Sequence, residues 1–131
     1  MNRIKRLSDY CKARIYSADE LVQEELNWLK KEKKLVKLPD GRYDVQGDVD
    51  FGSIGLKSLL DIPVRIRKVS GDFRCSENNL TSLEGAPEEV GKDFVCWGNQ
   101  LLTLKGAPRY VGGGFYCQDN NLTSLEDFQN I

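Results

Sequence analysis

Four cysteines and no histidine set the chemical limits of this 131-residue chain. Three of the cysteines, Cys75, Cys96 and Cys117, recur every 21 residues, which is not the spacing of a metal-ligand motif in sequence. If the chain coils with that period, the three thiols stack about one strand spacing apart, ~4.8 Å between backbones. Three thiols in a column suggest soft-metal ligation. Phe51 takes the equivalent place one turn earlier, however, and no imidazole is at hand to complete a set. Buried cysteine otherwise behaves as a small hydrophobe, so packing is the expected role, for Cys11 as well, on a helix face. The absence of histidine also excludes Ser-His and Cys-His nucleophilic pairs and His-containing zinc sites. Acid–base work near neutral pH would fall to a strongly shifted carboxylate or lysine, and nothing in the sequence points to one. The expectation is a protein without catalysis, metal or cofactor.

The 21-residue spacing extends well beyond cysteine. Residues 71–91 read GDFRCSENNLTSLEGAPEEVG, residues 92–112 read KDFVCWGNQLLTLKGAPRYVG, and residues 113–131 read GGFYCQDNNLTSLEDFQNI. Phe73, Phe94 and Phe115 align, as do Asn78, Asn99 and Asn120, and the leucine pairs Leu80/Leu83, Leu101/Leu104 and Leu122/Leu125. Pro87 and Pro108 share a position, with Val90 and Val111 behind them. A degenerate copy over residues 47–70 carries Val49, Phe51, Leu56, Leu59 and Pro63 at an offset of 24, so three extra residues follow its proline. Ile54 stands there in place of the asparagine.

Each position has a physical reading. Phe-x-Cys alternates with period 2, so both side chains leave one face of a short strand and enter the interior. The asparagine sits where the chain leaves the strand, placed to bond buried backbone groups of its neighbours in a ladder. Leu-x-x-Leu fills the far side and Gly-x-Pro turns the chain back. No such coil buries its own face, so the core exists only when coils stack.

The run Phe94-x-Cys96-x-x-Asn99-x-Leu101-x-x-Leu104-x-Gly106-x-Pro108-x-x-Val111 resembles the leucine-rich-repeat family. Over residues 47–131 it is similar to the short bacterial and bacteriophage type, and in style to uncharacterised phage proteins carrying such repeats. The resemblance implies an α+β fold: a solenoid of about 3.5 repeats over 47–131 under an N-terminal helical and hairpin cap over 1–46. It also implies that the strand residues pointing away from the core line a concave sheet where family members bind partners. Those residues form the rows Asp72-Arg74-Ser76, Asp93-Val95-Trp97 and Gly114-Tyr116-Gln118. Arg74, Asp93, Val95, Trp97, Tyr116 and Gln118 are the candidate contacts, because Trp, Tyr and Arg dominate binding hot spots. A phage origin makes a host protein, such as a defence component, the expected partner.

The flanking segments are read from local signals. Ser17-Ala18-Asp19-Glu20 has capping-box form, and Leu21, Val22, Leu26, Trp28 and Leu29 follow as one apolar stripe. Lys30, Lys31, Lys33 and Lys34 crowd the expected helix end, where cations suit the dipole. A weaker helix is expected over residues 2–14, with Ile4, Leu7 and Cys11 on one face. Pro39-Asp40-Gly41 separates two short apolar runs and predicts a hairpin. The final repeat lacks Gly-x-Pro, leaving Leu122, Leu125 and Phe128 thinly covered, so the last coil is expected to dock on a second copy, making a homodimer, or on its target.

Charge divides unevenly along the chain. Residues 1–70 hold 15 basic and 11 acidic residues, a net of +4; residues 71–131 hold 4 and 9, a net of −5. The basic cluster Lys30 to Lys37, with Arg65, Arg67 and Lys68, lacks a stacking motif, so nucleic acid is not the expected partner. The acidic repeats, including Glu84, Glu88, Glu89, Asp93, Asp119 and Glu126, leave open a nucleic-acid mimic that blocks a nuclease or polymerase. The basic first residues are followed by no apolar signal core, and no apolar run approaches the ~18 residues of a membrane span. A cytoplasmic protein is expected, in the host cell if phage-encoded.

Overall fold

The protein is described by a computed structural model over residues 16–123. It is a small β-solenoid of about four turns with one described helix in its N-terminal region. Helix α1 (Ala18–Lys31) begins at the capping box: Ser17 Oγ accepts from Glu20 N and a Glu20 carboxylate oxygen accepts from Ser17 N, both at 3.1 Å. Its apolar stripe buries Leu21, Val22, Leu26 and Leu29, with Trp28 half-buried against the same core. Lys30 and Lys31 occupy the last turn, whereas Lys33 and Lys34 lie past it, Lys33 with a φ of 57° that ends the helix. The weaker helix expected over residues 2–14, with Cys11, lies outside the described residues, as do Leu125 and Phe128.

Strands β1 (Leu35–Lys37) and β2 (Tyr43–Val45) form an antiparallel hairpin in which Leu35 pairs with Val45. Asp40 closes its turn by accepting from Arg42 N, and Gly41 adopts a φ of 91°, a conformation that suits a residue without Cβ. The coils then alternate between two stacks. Strands β3 (Val49–Asp50), β5 (Phe73–Arg74), β7 (Phe94–Val95) and β9 (Phe115–Tyr116) build a parallel four-stranded sheet. Strands β4 (Ile66–Val69), β6 (Glu89–Val90) and β8 (Tyr110–Val111) build a second parallel stack, and β2 pairs alongside β4, so the hairpin completes a five-stranded sheet. The periodicity locates the first stack through its inward Phe-x-Cys pair but not the second, where only Val90 and Val111 recur and a single inward residue per coil shows no alternation.

The register pairs equivalent residues: Phe73 with Phe94, Phe94 with Phe115, and Val90 with Val111. Inside, Phe51, Phe73, Phe94 and Phe115 form a column with ring centroids 6.1, 5.6 and 5.1 Å apart, the first pair edge-on and the later two stacked. Helix and hairpin residues share one core cluster with the coils, including Leu29, Val45, Leu59, Leu80 and Leu101. At the Gly-x-Pro turn, Gly106 has a φ of 90°, and a Cβ there would sit 2.4 Å from Glu84 N. Backbone meets backbone between successive turns at this corner, so it admits no side chain.

The asparagine column ties these coils together. Asn99 is 7% exposed; its Oδ1 accepts from Leu80 N of the previous coil at 3.0 Å. Its Nδ2 donates to Cys75 O of that coil and to Cys96 O of its own. Asn78 accepts from Ile54 N and Leu56 N and donates to Phe51 O and Cys75 O. Asn120 accepts from Leu101 N and donates to Cys96 O and Cys117 O. The substitution of Ile54 in the first copy now has a cause. An asparagine reaches back one coil, and no coil precedes this one. No helix among the described residues is long and apolar enough to cross a membrane.

Asn99→Ala orphans the buried Leu80 N–H, while the Cys75 carbonyl keeps its bond from Asn78, and is expected to cost roughly 1–3 kcal/mol in urea unfolding. Asn79→Ala, at an exposed side chain one residue from Asn78, is expected to leave the midpoint unchanged.

Candidate functional site: the outer face of the four-stranded sheet

Because Phe and Cys point inward, the intervening side chains stand on the outer face. Across it, Arg74, Val95 and Tyr116 are paired neighbours on β5, β7 and β9. Trp97 and Gln118 continue from β7 and β9, where Glu77 N donates to Trp97 O at 2.9 Å and Gly98 N to Gln118 O at 3.1 Å. The fold therefore gathers Arg74, Asp93, Val95, Trp97, Tyr116 and Gln118 on one surface, though not equally accessible. Tyr116 is 43% exposed, Arg74 and Gln118 are exposed, and Trp97 and Asp93 are half-buried.

Val95 departs from the expected open patch: it is 6% exposed yet stands apart from the core cluster. Period 2 fixes the face a side chain leaves from, not whether long neighbours cover it. Arg74 and Tyr116 flank Val95 on both sides of the sheet. Val95 is thus a floor between the two rather than a free contact.

A second ladder, missed in the sequence, runs along the rim. Asp48 Oδ1 accepts from Asp72 N, Asp72 Oδ1 from Asp93 N, and Asp93 Oδ1 from Gly114 N, at 2.8 to 2.9 Å. The signal was an aspartate immediately before the inward Phe or Val position in three copies, at 48, 72 and 93. Asp93 therefore already spends one oxygen inside the sheet, and Asp72 holds Arg74 Nη2 at 2.7 Å. In the fourth coil the aspartate is replaced by Gly114, where a Cβ would meet ring atoms of Tyr116 at 2.7 Å. The missing side chain is what lets the Tyr116 ring lie over that position.

The cysteine column faces the interior. Cys75 and Cys96 are buried and Cys117 is half-buried, all three as free thiols. Burial pushes the Cys96 thiol up to about 12, with the neighbouring Cys117 adding to the effect, and raises the Cys75 thiol too. Among the described residues no group of three or more His, Cys, Asp or Glu is placed to hold a metal ion.

Beside the five-stranded sheet two arginines are paired with carboxylates. Arg67 grips Asp44 with two guanidinium nitrogens, at 2.9 and 2.5 Å, and its hydrogen bonds hold the Asp44 carboxyl below the usual carboxylate range. Arg42 bridges Asp40 and Glu88 at 2.9 and 2.8 Å. Leu122, the described member of the proposed oligomer contact, is half-buried against the core.

In a Cys11→Ser background, a disulfide exchange reagent at pH 8 is expected to modify Cys117 first. Cys75 and Cys96 should react only at the rate at which the coils open. Reaction of Cys96 as fast as Cys117 would mean that the interior thiols are accessible.

Comparison of the chain with protein-family models, curated proteins and solved structures finds no match.

Proposed function

We propose that this protein is a non-enzymatic protein-binding module of leucine-rich-repeat type, a 21-residue-period solenoid capped by the N-terminal helix and hairpin. Its binding face is the outer surface of the four-stranded sheet. The observation that carries the reading is the exposed Tyr116, on the same face as Trp97 and Arg74, on a sheet whose interior side chains supply the fold. An aromatic side chain left in solvent on a rigid strand is a ready anchor, since little conformational freedom is lost when a partner covers it. The phage-like style of the repeats favours a host protein as target, such as a component of a defence system. Its activity would be blocked by occlusion or by trapping one conformation, in the cytoplasm of the host.

Tagged protein passed over bacterial lysate is expected to retain one host protein that a Trp97→Ala, Tyr116→Ala double variant, folded by circular dichroism, does not. Loss of two aromatic anchors is expected to weaken binding by at least about a hundredfold. Gly114→Asp offers a separate check: it leaves both aromatics in place but drives the Tyr116 ring off its seat, so binding should weaken here too. Equal retention by wild type and both variants would remove the face as the site.

A second reading, assembly through the last coil, draws on two observations: among the described residues β8 and β9 end their sheets, and Leu122 is half-buried. A mass of twice 14.9 kDa in light scattering, reduced by Leu122→Glu, would support it. A 14.9 kDa species at micromolar concentration would set it aside.

A further inference from the structure

A cleft away from the four-stranded sheet is built from the parts of this chain that break its repeat. Its volume is about 430 Å³, within the size range of small-molecule sites, and it is lined by Lys37, Arg42, Tyr43, Pro63, Val64 and Arg65 among others. One wall is the β1–β2 hairpin. The other belongs to the first coil, where five residues separate Pro63 from Val69 while only two separate Pro87 from Val90. Val69 pairs directly with Val90, so the three extra residues are absorbed within this wall. There the register slips between Tyr43 and Asp44, with Tyr43 opposite Ile66 and Asp44 opposite Lys68. Insertions in a repeat gather on one face and often mark where it binds, and bulges re-aim side chains beside sites.

The charges in the cleft do not cancel. Asp40 is committed to Arg42, through both its backbone N–H and its guanidinium, and Arg42 turns its other side to Glu88. Arg65 is held differently. Its guanidinium donates to the carbonyls of Leu59, Leu60 and Ile62, at 3.3, 2.7 and 2.9 Å. These acceptors fix the side chain without neutralising it. Of its five N–H donors, Nε–H and one on Nη1 remain, and no carboxylate pairs with it among the described residues. Lys37 is exposed and likewise makes no ion pair among the described residues. Two uncompensated cations, one already locked in place, thus line the same cleft as Tyr43 and the apolar Pro63 and Val64. A structural staple for the turn at Leu59–Asp61 explains the three carbonyl contacts of Arg65. It does not explain a second free cation across the same cleft.

We infer that this cleft binds a small organic phosphate, its dianionic group between Lys37 and Arg65 and its flat apolar part against Tyr43, Pro63 and Val64. A phosphate monoester carries close to two negative charges at neutral pH, which matches the two cations, whereas a carboxylate carries one. The site is independent of the protein-binding face.

The test is an amide-resolved NMR titration in phosphate-free buffer, with phenyl phosphate, inorganic phosphate and phenol as probes. Phenyl phosphate is expected to shift the amides of Lys37, Tyr43 and Arg65 along one saturating curve, and to bind more tightly than either fragment. Lys37→Gln, at a side chain with no hydrogen bond or ion pair among the described residues, should weaken binding roughly tenfold. Lys34→Gln, an equal loss of charge outside the lining, should leave it unchanged. No saturation of these amides below about 10 mM would overturn the inference. So would phenol or inorganic phosphate binding as tightly as phenyl phosphate, or equal weakening by both lysine variants.

Discussion

The asparagine hydrogen bonds between coils are the constraint on which the rest of this structure depends. A strand of two residues makes few ladder bonds, and the chain between strands turns through a buried region where neither helix nor sheet satisfies its backbone. Every buried N–H and C=O there needs a partner. One amide side chain per coil supplies them: Asn99 takes Leu80 N and serves Cys75 O and Cys96 O at once. Among the described residues no buried side-chain nitrogen or oxygen lacks a partner. The phenylalanine column and the leucine pairs add apolar burial, but burial has no direction, whereas the amide fixes how far each coil is rotated against the last.

That division of labour frees the surface. The inward positions hold the coils together, so the outward ones are open to differ, and they do: Asp50, Arg74, Val95 and Tyr116 occupy one row in four successive coils. A rigid sheet with unconstrained outer side chains is a suitable platform for recognition, since its contacts are placed before a partner arrives. The aspartate ladder marks the limit of that freedom. Asp48, Asp72 and Asp93 point along the rim and each spends an oxygen on the next coil, so outward position alone does not make a residue available.

The legible part of the fold was the part with a period. Phe, Cys, Asn and Leu recur because each meets its own equivalent across a coil boundary, and Ser17 with Glu20 announced the helix because the capping box is local. The second parallel stack was not legible because only one inward residue per coil, Val90 and then Val111, recurs there, and one position shows no alternation. Alternation placed all six candidate contacts on one face, but Val95 lies beneath its neighbours, and lateral crowding is a property of three coils together rather than of one. The cleft was least legible of all. Its walls come from a hairpin and an insertion some twenty residues apart, and only the odd length of the first coil hinted at it.

The most direct measurement of the asparagine constraint is native-state hydrogen exchange at single amides. The N–H groups of Leu56, Leu80 and Leu101, each held by an asparagine of the following coil, are expected to exchange only through global unfolding and to share one free energy of opening. Exchange of Leu80 at the rate of the exposed Thr81 beside it would contradict the claim that the asparagine column holds the coils in register.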